Sequence, residues 1–220
     1  MGEYIESFKD CLPDPKKVRE IKKDLESKGV KYIYSNWIDF LGSPKTKPMP
    51  ISDFEDLCSG KGPQFAVHSV SFVPELTPAD NDQIPVPDLD SLVICPWDKT
   101  CAWVFADLWW NDKPYDVCPR QTLKRQIHKN AQSDLKFYVG IEPEFFVMKW
   151  EDGKPVKAID NDPIPLRRQA FGYDAEYSID GMNFLKEIID ILNDDLHWDL
   201  HDVVAEGAYG QYELDFGYTD

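Results

Sequence analysis

The sequence predicts an α+β chain, and three observations carry that prediction. Hydrophobic residues make up 42% of 220 positions, enough to bury a core in one large domain or two small ones. Aromatic residues make up 13%, which disordered chains do not reach. One early helical pattern is followed by short β-branched and aromatic runs divided by turn residues.

The first element is a helix over about 15–29. Asp14 suits its cap and Pro15 its first position, Val18, Ile21 and Leu25 recur at helical spacing, and Gly29 ends it. KYIYSNWIDF (31–40), the turn around Gly42 and Pro44, and KPMPI then read as a hairpin. Residues 59–90 are dense in Gly, Pro and Asp and are expected to be largely loop. Two strands follow, LVIC (92–95) and AWVFADLWW (102–110). After Pro119 comes a helix with Leu123 and Ile127 on one face.

A boundary near Pro119 divides an N-terminal region, 1–118, from a second region, 119–220. Within the second, KFYVGIEPEFFVMKW (136–150) reads as one long strand, and 151–170 as a charged, proline-bearing loop. A helix is expected from Asp180 to Asp195, with Phe184, Leu185, Ile188, Ile189 and Leu192 as its apolar face. DLHDVVAE and QYELDF, joined through Gly207 and Gly210, read as a strand pair.

Lys plus Arg total 24 against 40 Asp plus Glu, a net charge of −16. A field of that sign repels phosphate backbones and anionic lipid, which argues against nucleic-acid and membrane-surface partners. Five cysteines without a CxxC pair show neither a disulfide framework nor zinc-finger spacing. With no apolar run of signal-peptide or membrane-span type, a reduced cytoplasmic setting is the expectation.

Two pairs of carboxylates stand out. Glu142 and Glu144 are two apart in a strand pattern, so both point to one face, and their flanks are apolar. Like charges so placed raise each other's pKa unless a cation lies between them, and magnesium or manganese takes such oxygen ligands. Taken alone, an exposed polar strand face is the simpler explanation. Glu206 and Glu213 bracket the glycine connection of the last strand pair, which puts them near neighbouring strand ends. Gln211, Glu213 and Asp215 share a face there, and an ordinary polar hairpin face again suffices in isolation.

In combination these segments resemble the glutamine synthetase family. Gly140-Ile-Glu-Pro-Glu-Phe-Phe146 is similar to its G-x-E-x-E-F-F strand, and Glu206-Gly-Ala-Tyr-Gly-Gln-Tyr-Glu213 to its E-x-x-x-G-Q-x-E segment. Pro119-Arg120 with Leu123, Lys124 and Arg125 resembles the opening of the helix before the first motif. WIDFLGSPKTKPMP resembles a hairpin of the N-terminal domain, and Tyr173 stands at the spacing of a substrate-pocket tyrosine. The patterns keep the family's order over about 190 residues.

The resemblance implies an N-terminal β-grasp domain followed by the first part of a glutamine-synthetase-type α/β catalytic domain. It implies ATP-dependent ligation of the glutamate γ-carboxylate to ammonia or another amine through a γ-glutamyl phosphate. Mg2+ or Mn2+ would be held by Glu144, Glu206 and Glu213 at one position and partly by Glu142 at the other, with ATP as co-substrate and Tyr173 binding substrate. A homo-oligomer with active sites between subunits is implied as well, and the aromatic run Trp103, Phe105, Trp109 and Trp110 is expected to supply apolar surface for it.

Two departures qualify this. The family continues for roughly as many residues beyond its second motif, so the 220-residue chain is expected to be inactive alone. Phe65-Ala66-Val67-His68-Ser69 stands where the family has an ammonium-binding Asp, and Ala66 replaces the acid. That change suits a larger amine, and it equally suits an inactive homologue with a structural or regulatory binding role, the alternative function.

Overall fold

The computed structural model describes residues 4–71, 76–131, 133, 135–158, 172–208 and 210–218. They divide into two compact units, Met1–Leu135 and Lys136–Asp220, each combining helices with sheet. Among the described residues, no helix is long and apolar enough to cross a membrane.

The first unit opens with a short helix, α1 (Phe8–Cys11), and the expected helix, α2 (Pro15–Ser27). The Asp14 carboxylate accepts the Lys16 N–H, and Gly29 leaves the helix at φ +88°, a conformation that favours glycine. Strands β1 (Tyr32–Ile38) and β2 (Pro44–Pro50) form the expected hairpin. The buried Asp39 carboxylate organises its turn by accepting the Leu41 and Ser43 N–H groups.

Helix α3 (Phe54–Cys58), strand β3 (Phe65–Ala66), helix α4 (Val67–Ser71) and strand β4 (Asp82–Pro87) come next. Then follow β5 (Val93–Ile94), the ten-residue β6 (Cys101–Trp110), β7 (Lys113–Pro114) and helix α5 (Pro119–Asn130). The sheet order is β2-β1-β6-β4-β3, with β5 and β7 also on β6, and β1 runs parallel to β6.

Strand β4 corrects the loop expected over 59–90. Its prolines hid it, and register explains why the sheet tolerates them. The Asp88 N–H bonds Phe105 on β6, so Ile84 and Val86 share that orientation, while Pro85 and Pro87 turn the other way. Strand β3 pairs only with Asp82 and Gln83, so neither proline has a ladder bond to lose.

One core lies between α2 and the sheet, where Val18 and Leu25 meet Ile33, Phe54, Leu57, Ala102 and Val104. A second gathers Trp37, Val67, Leu108, Tyr115 and Cys118. Trp109 is fully buried, so the aromatic run of β6 is less exposed than the sequence suggests.

Helix α5 carries Leu123 and Ile127 on one face as expected, but that face is not the buried one. Leu123 and Ile127 are about half exposed, whereas Gln121 and Lys124 are buried. The cause is electrostatic. Arg120 bonds Asp88 at 2.5 Å and Asp107 at 3.1 Å, and Lys124 pairs with Asp107 and, at 3.7 Å, with Asp88. These four charges fix the helix to β6 and the end of β4, so the unit closes at residue 135, beyond the helix.

The second unit holds β8 (Glu144–Phe146), β9 (Met148–Glu151), β10 (Lys154–Lys157), α6 (Ala175–Asp190), β11 (Leu200–Ala205) and β12 (Gln211–Phe216). The long strand expected over 136–150 is thus broken. Pro143 has no N–H to donate, and Phe137, Tyr138, Val139 and Ile141 are exposed. Strands β9 and β10 form a hairpin inside the expected 151–170 loop, and residues 159–170 of that loop lie outside the described residues. Helix α6 starts before the expected Asp180 because Asp174 caps it, accepting the Glu176 and Tyr177 N–H groups. A wider π-helical turn, Ile191–Asp195, ends it.

The α5 clamp yields a stability prediction. Arg120→Ala leaves Asp88 and Asp107 short of a cation in a largely buried setting and is expected to cost about 3 kcal/mol in denaturant melts. Arg125→Ala removes a pair with the exposed Asp116 and is expected to cost within about 0.5 kcal/mol.

Candidate functional site

The site is built on the three-stranded sheet β11-β12-β8. Strand β12 has two unlike faces. Tyr212 turns into a core with Tyr177, Leu185 and Ala205, and Leu214 is buried on the same strand face, while Gln211, Glu213 and Asp215 take the other side. Tyr212 is locked in place: its hydroxyl donates to the Tyr177 carbonyl at 3.2 Å, and its ring lies against Gly181 of α6. A Cβ at position 181 would collide with that ring.

The four glutamates singled out in the sequence meet on this polar face. Glu144 stands directly opposite Glu213 across β8 and β12. The Glu206 N–H continues the β11–β12 ladder to the Gln211 carbonyl at 3.0 Å, and its side chain hydrogen-bonds Glu213. Glu142 joins from the segment before β8. It, Glu213 and Asp215 each bring a carboxylate oxygen within 4.8 Å of the others. Gln211 donates to Glu144 at 2.5 Å. Asp215 was not among the residues picked out from sequence, although its shared face with Glu213 was the available signal.

Tyr173 lies beside this cluster through its main chain. Its N–H donates to the Ala205 carbonyl at 2.8 Å, next to Glu206, and its φ is +64°. The ring is 82% exposed.

The electrostatics are unfavourable for carboxylates alone. The hydrogen bond with Glu206 pushes the Glu213 carboxyl up to about 7, helped by desolvation and by the charges of Asp215, Glu206 and Glu144. The Asp215 Oδ1 is buried without a hydrogen-bond partner. A hard divalent cation among these carboxylates answers the first condition, since it takes the place of the proton. An all-oxygen donor set suits magnesium or manganese.

Residues 116–220 match the family described as glutamine synthetase, catalytic domain. A glutamine synthetase of Rhizobium meliloti (strain 1021) is 32% identical over 193 residues, covering 88% of this chain and 42% of that protein. A glutamate–methylamine ligase of Methyloversatilis universalis is 27% identical, covering 91% and 44%. Solved structures of GmaS without ligand and as an ADP complex superpose with TM-scores of 0.77 and 0.76 at 27% and 28% identity. They cover 91% and 90% of this chain, and 45% and 44% of theirs. The fold and these relatives define a mixed α/β protein of glutamine-synthetase type, in which residues 116–220 match the catalytic domain of the glutamine synthetase family. It spans less than half the length of the relatives it matches.

Glu213 gives the cluster a signature. Its carboxyl pKa is raised from about 4.3 in the unfolded chain, so between that pH and about 7 the folded state binds more protons. This contribution to stability is full below the unfolded value and is lost as pH rises through 7. In chelator, Glu213→Gln is expected to flatten the fall in melting temperature over that interval. An unchanged slope would show that Glu213 titrates normally.

Proposed function

We propose that this chain is part of an ATP-dependent ligase that joins the γ-carboxylate of glutamate to an amine. The observation that carries the reading is the gathering of Glu142, Glu144, Glu206 and Glu213, with Asp215, on one sheet face. Glu144, Glu206 and Glu213 would hold one Mg2+ or Mn2+ ion, with Glu142 contributing to a second. Bound there, such ions neutralise the charge of a transferring phosphoryl group.

In the proposed reaction a γ-carboxylate oxygen of glutamate attacks the terminal phosphorus of ATP, and ADP departs. The amine nitrogen then attacks the acyl carbon, and phosphate leaves with the C–O electrons. The chain's own part is to fix the carboxylate array, through Tyr212 packed beneath it and Gln211 holding Glu144. Tyr173, anchored at the end of β11, would border the substrate. The names of the relatives support these substrates, since one is a glutamate–methylamine ligase and one GmaS structure is an ADP complex.

The same reading assigns a β-grasp fold to the N-terminal domain, 1–118, and the first part of the catalytic domain to 119–220. The family match begins at 116, close to that division. It also assigns a cytoplasmic homo-oligomer with active sites between subunits, and no activity to these 220 residues alone.

A larger amine than ammonia is the proposed acceptor, because Ala66 offers no carboxylate. A larger amine recovers part of its lost hydration by burying hydrocarbon, at about 0.8 kcal/mol per methylene. Asp82 stands opposite Ala66 in the β3–β4 register, so an acid remains on that strand pair. The second reading, an inactive homologue with a binding role, also draws on Ala66.

The test is ATP- and glutamate-dependent phosphate release by the full-length gene product with ammonia, methylamine and larger amines. The expected result is a kcat/KM at least about tenfold higher (1.4 kcal/mol) for a larger amine than for ammonia. Glu144→Gln is expected to lower kcat about a hundredfold or more, as for loss of a residue stabilising transition-state charge. A preference for ammonia would end the amine assignment. No turnover with any amine would favour the binding homologue.

A further inference from the structure

Away from the carboxylate cluster, the first unit brings two thiols together on one hairpin. The β5–β6 register pairs Val93 with Trp103 and Ile94 with Ala102. The Cys95 N–H donates to the Cys101 carbonyl at 2.9 Å, which carries the pairing one step further and sets these cysteines opposite each other. Residues so paired have Cα atoms about 5.5 Å apart and side chains on one face. That lies inside the separation of about 4.4–6.8 Å that a disulfide spans.

The loop between them is fixed. The Asp98 N–H donates to the Cys95 carbonyl at 3.3 Å, and the Cys101 N–H to the Asp98 carbonyl at 3.0 Å. Ala102 and Val104 face the core under α2, so Cys101 and Trp103 face the opposite side of the sheet. There both cysteines line an open cavity of about 360 Å3 with Tyr34, Trp97, Asp98 and Trp103. Both are free thiols, and the proposed ligase chemistry uses neither.

We propose that Cys95 and Cys101 form a reversible dithiol–disulfide pair, oxidised by a hydroperoxide. The Cys101 S–H points at the Asp98 carboxylate, 3.3 Å away, which orients its sulfur in the cavity. As its proton leaves, that sulfur attacks a peroxide oxygen, the O–O bond breaks, and the departing oxygen takes the proton as water or alcohol. The Cys95 sulfur then attacks the resulting sulfenic sulfur. The S–O bond breaks, and hydroxide leaves as water with the Cys95 proton. Two thiols are oxidised by two electrons and one peroxide is reduced. Burial and the Cys101 charge push Cys95 up to about 11, which gives it the second step. Cys58, buried in the α2 core and pushed up to about 12 by that burial, serves as an internal reference.

The experiment treats the full chain with hydrogen peroxide, alkylates remaining thiols and digests with trypsin. Cleavage at Lys99 separates the two cysteines, so the disulfide joins peptide 62–99 to peptide 100–120, which also contains Cys118. The expected result is a linked species, reversed by dithiothreitol, that disappears in Cys95→Ser and Cys101→Ser and persists in Cys118→Ser. Far-UV circular dichroism checks that each variant is folded, and Cys95→Ala replaces a serine variant that is not. A link that survives Cys101→Ser overturns the proposal. So does a wild-type chain in which Cys95 remains as alkylatable as Cys58 after peroxide.

Discussion

The packing of Tyr212 against α6 is the contact on which the polar face of the second unit depends. One residue of β12 is pinned between Gly181 and the Tyr177 carbonyl, and the period of two in a strand does the rest. With Tyr212 inward, Glu213 has to point outward, opposite Glu144 and beside Glu206. A rotation or one-residue slip of the strand would bury the carboxylates and expose the core. The apolar core therefore keeps like charges close together despite their mutual repulsion.

This division of labour explains why the cluster was legible from so little. Two glutamates two positions apart, and two more around a glycine connection, specify facing directions once the segments are strands. The sequence does not say which strands become neighbours; β8 joins β12 although 67 positions separate Glu144 from Gln211. Asp215 shares a face with Glu213, but that alternation does not tell a carboxylate with an unpartnered buried oxygen from an exposed one.

The first unit was legible where local chemistry and packing agreed. Asp14, Pro15 and Gly29 delimit α2, and the aromatic and β-branched run at 101–110 forms β6. Strand β4 was missed because Pro85 and Pro87 normally argue against a strand, and only the partner arrangement makes them harmless. The opposite error arose at 136–142, where aromatic content suggested a strand but Val139 alone forms a β-bridge among the described residues. Leu123 and Ile127 misled for a third reason: ion pairs, which leave no periodic trace, decided which side of α5 is buried.

Helix α5 consequently belongs to two units in different senses. By descent it lies within the matched catalytic-domain region, yet by packing it completes the preceding sheet. Dividing the chain at the start of that match would separate Asp88 and Asp107 from Arg120 and Lys124. A cut after the helix keeps those charges neutralised. The seam along which this protein can be dissected therefore lies on the far side of α5 from the start of the catalytic-domain match.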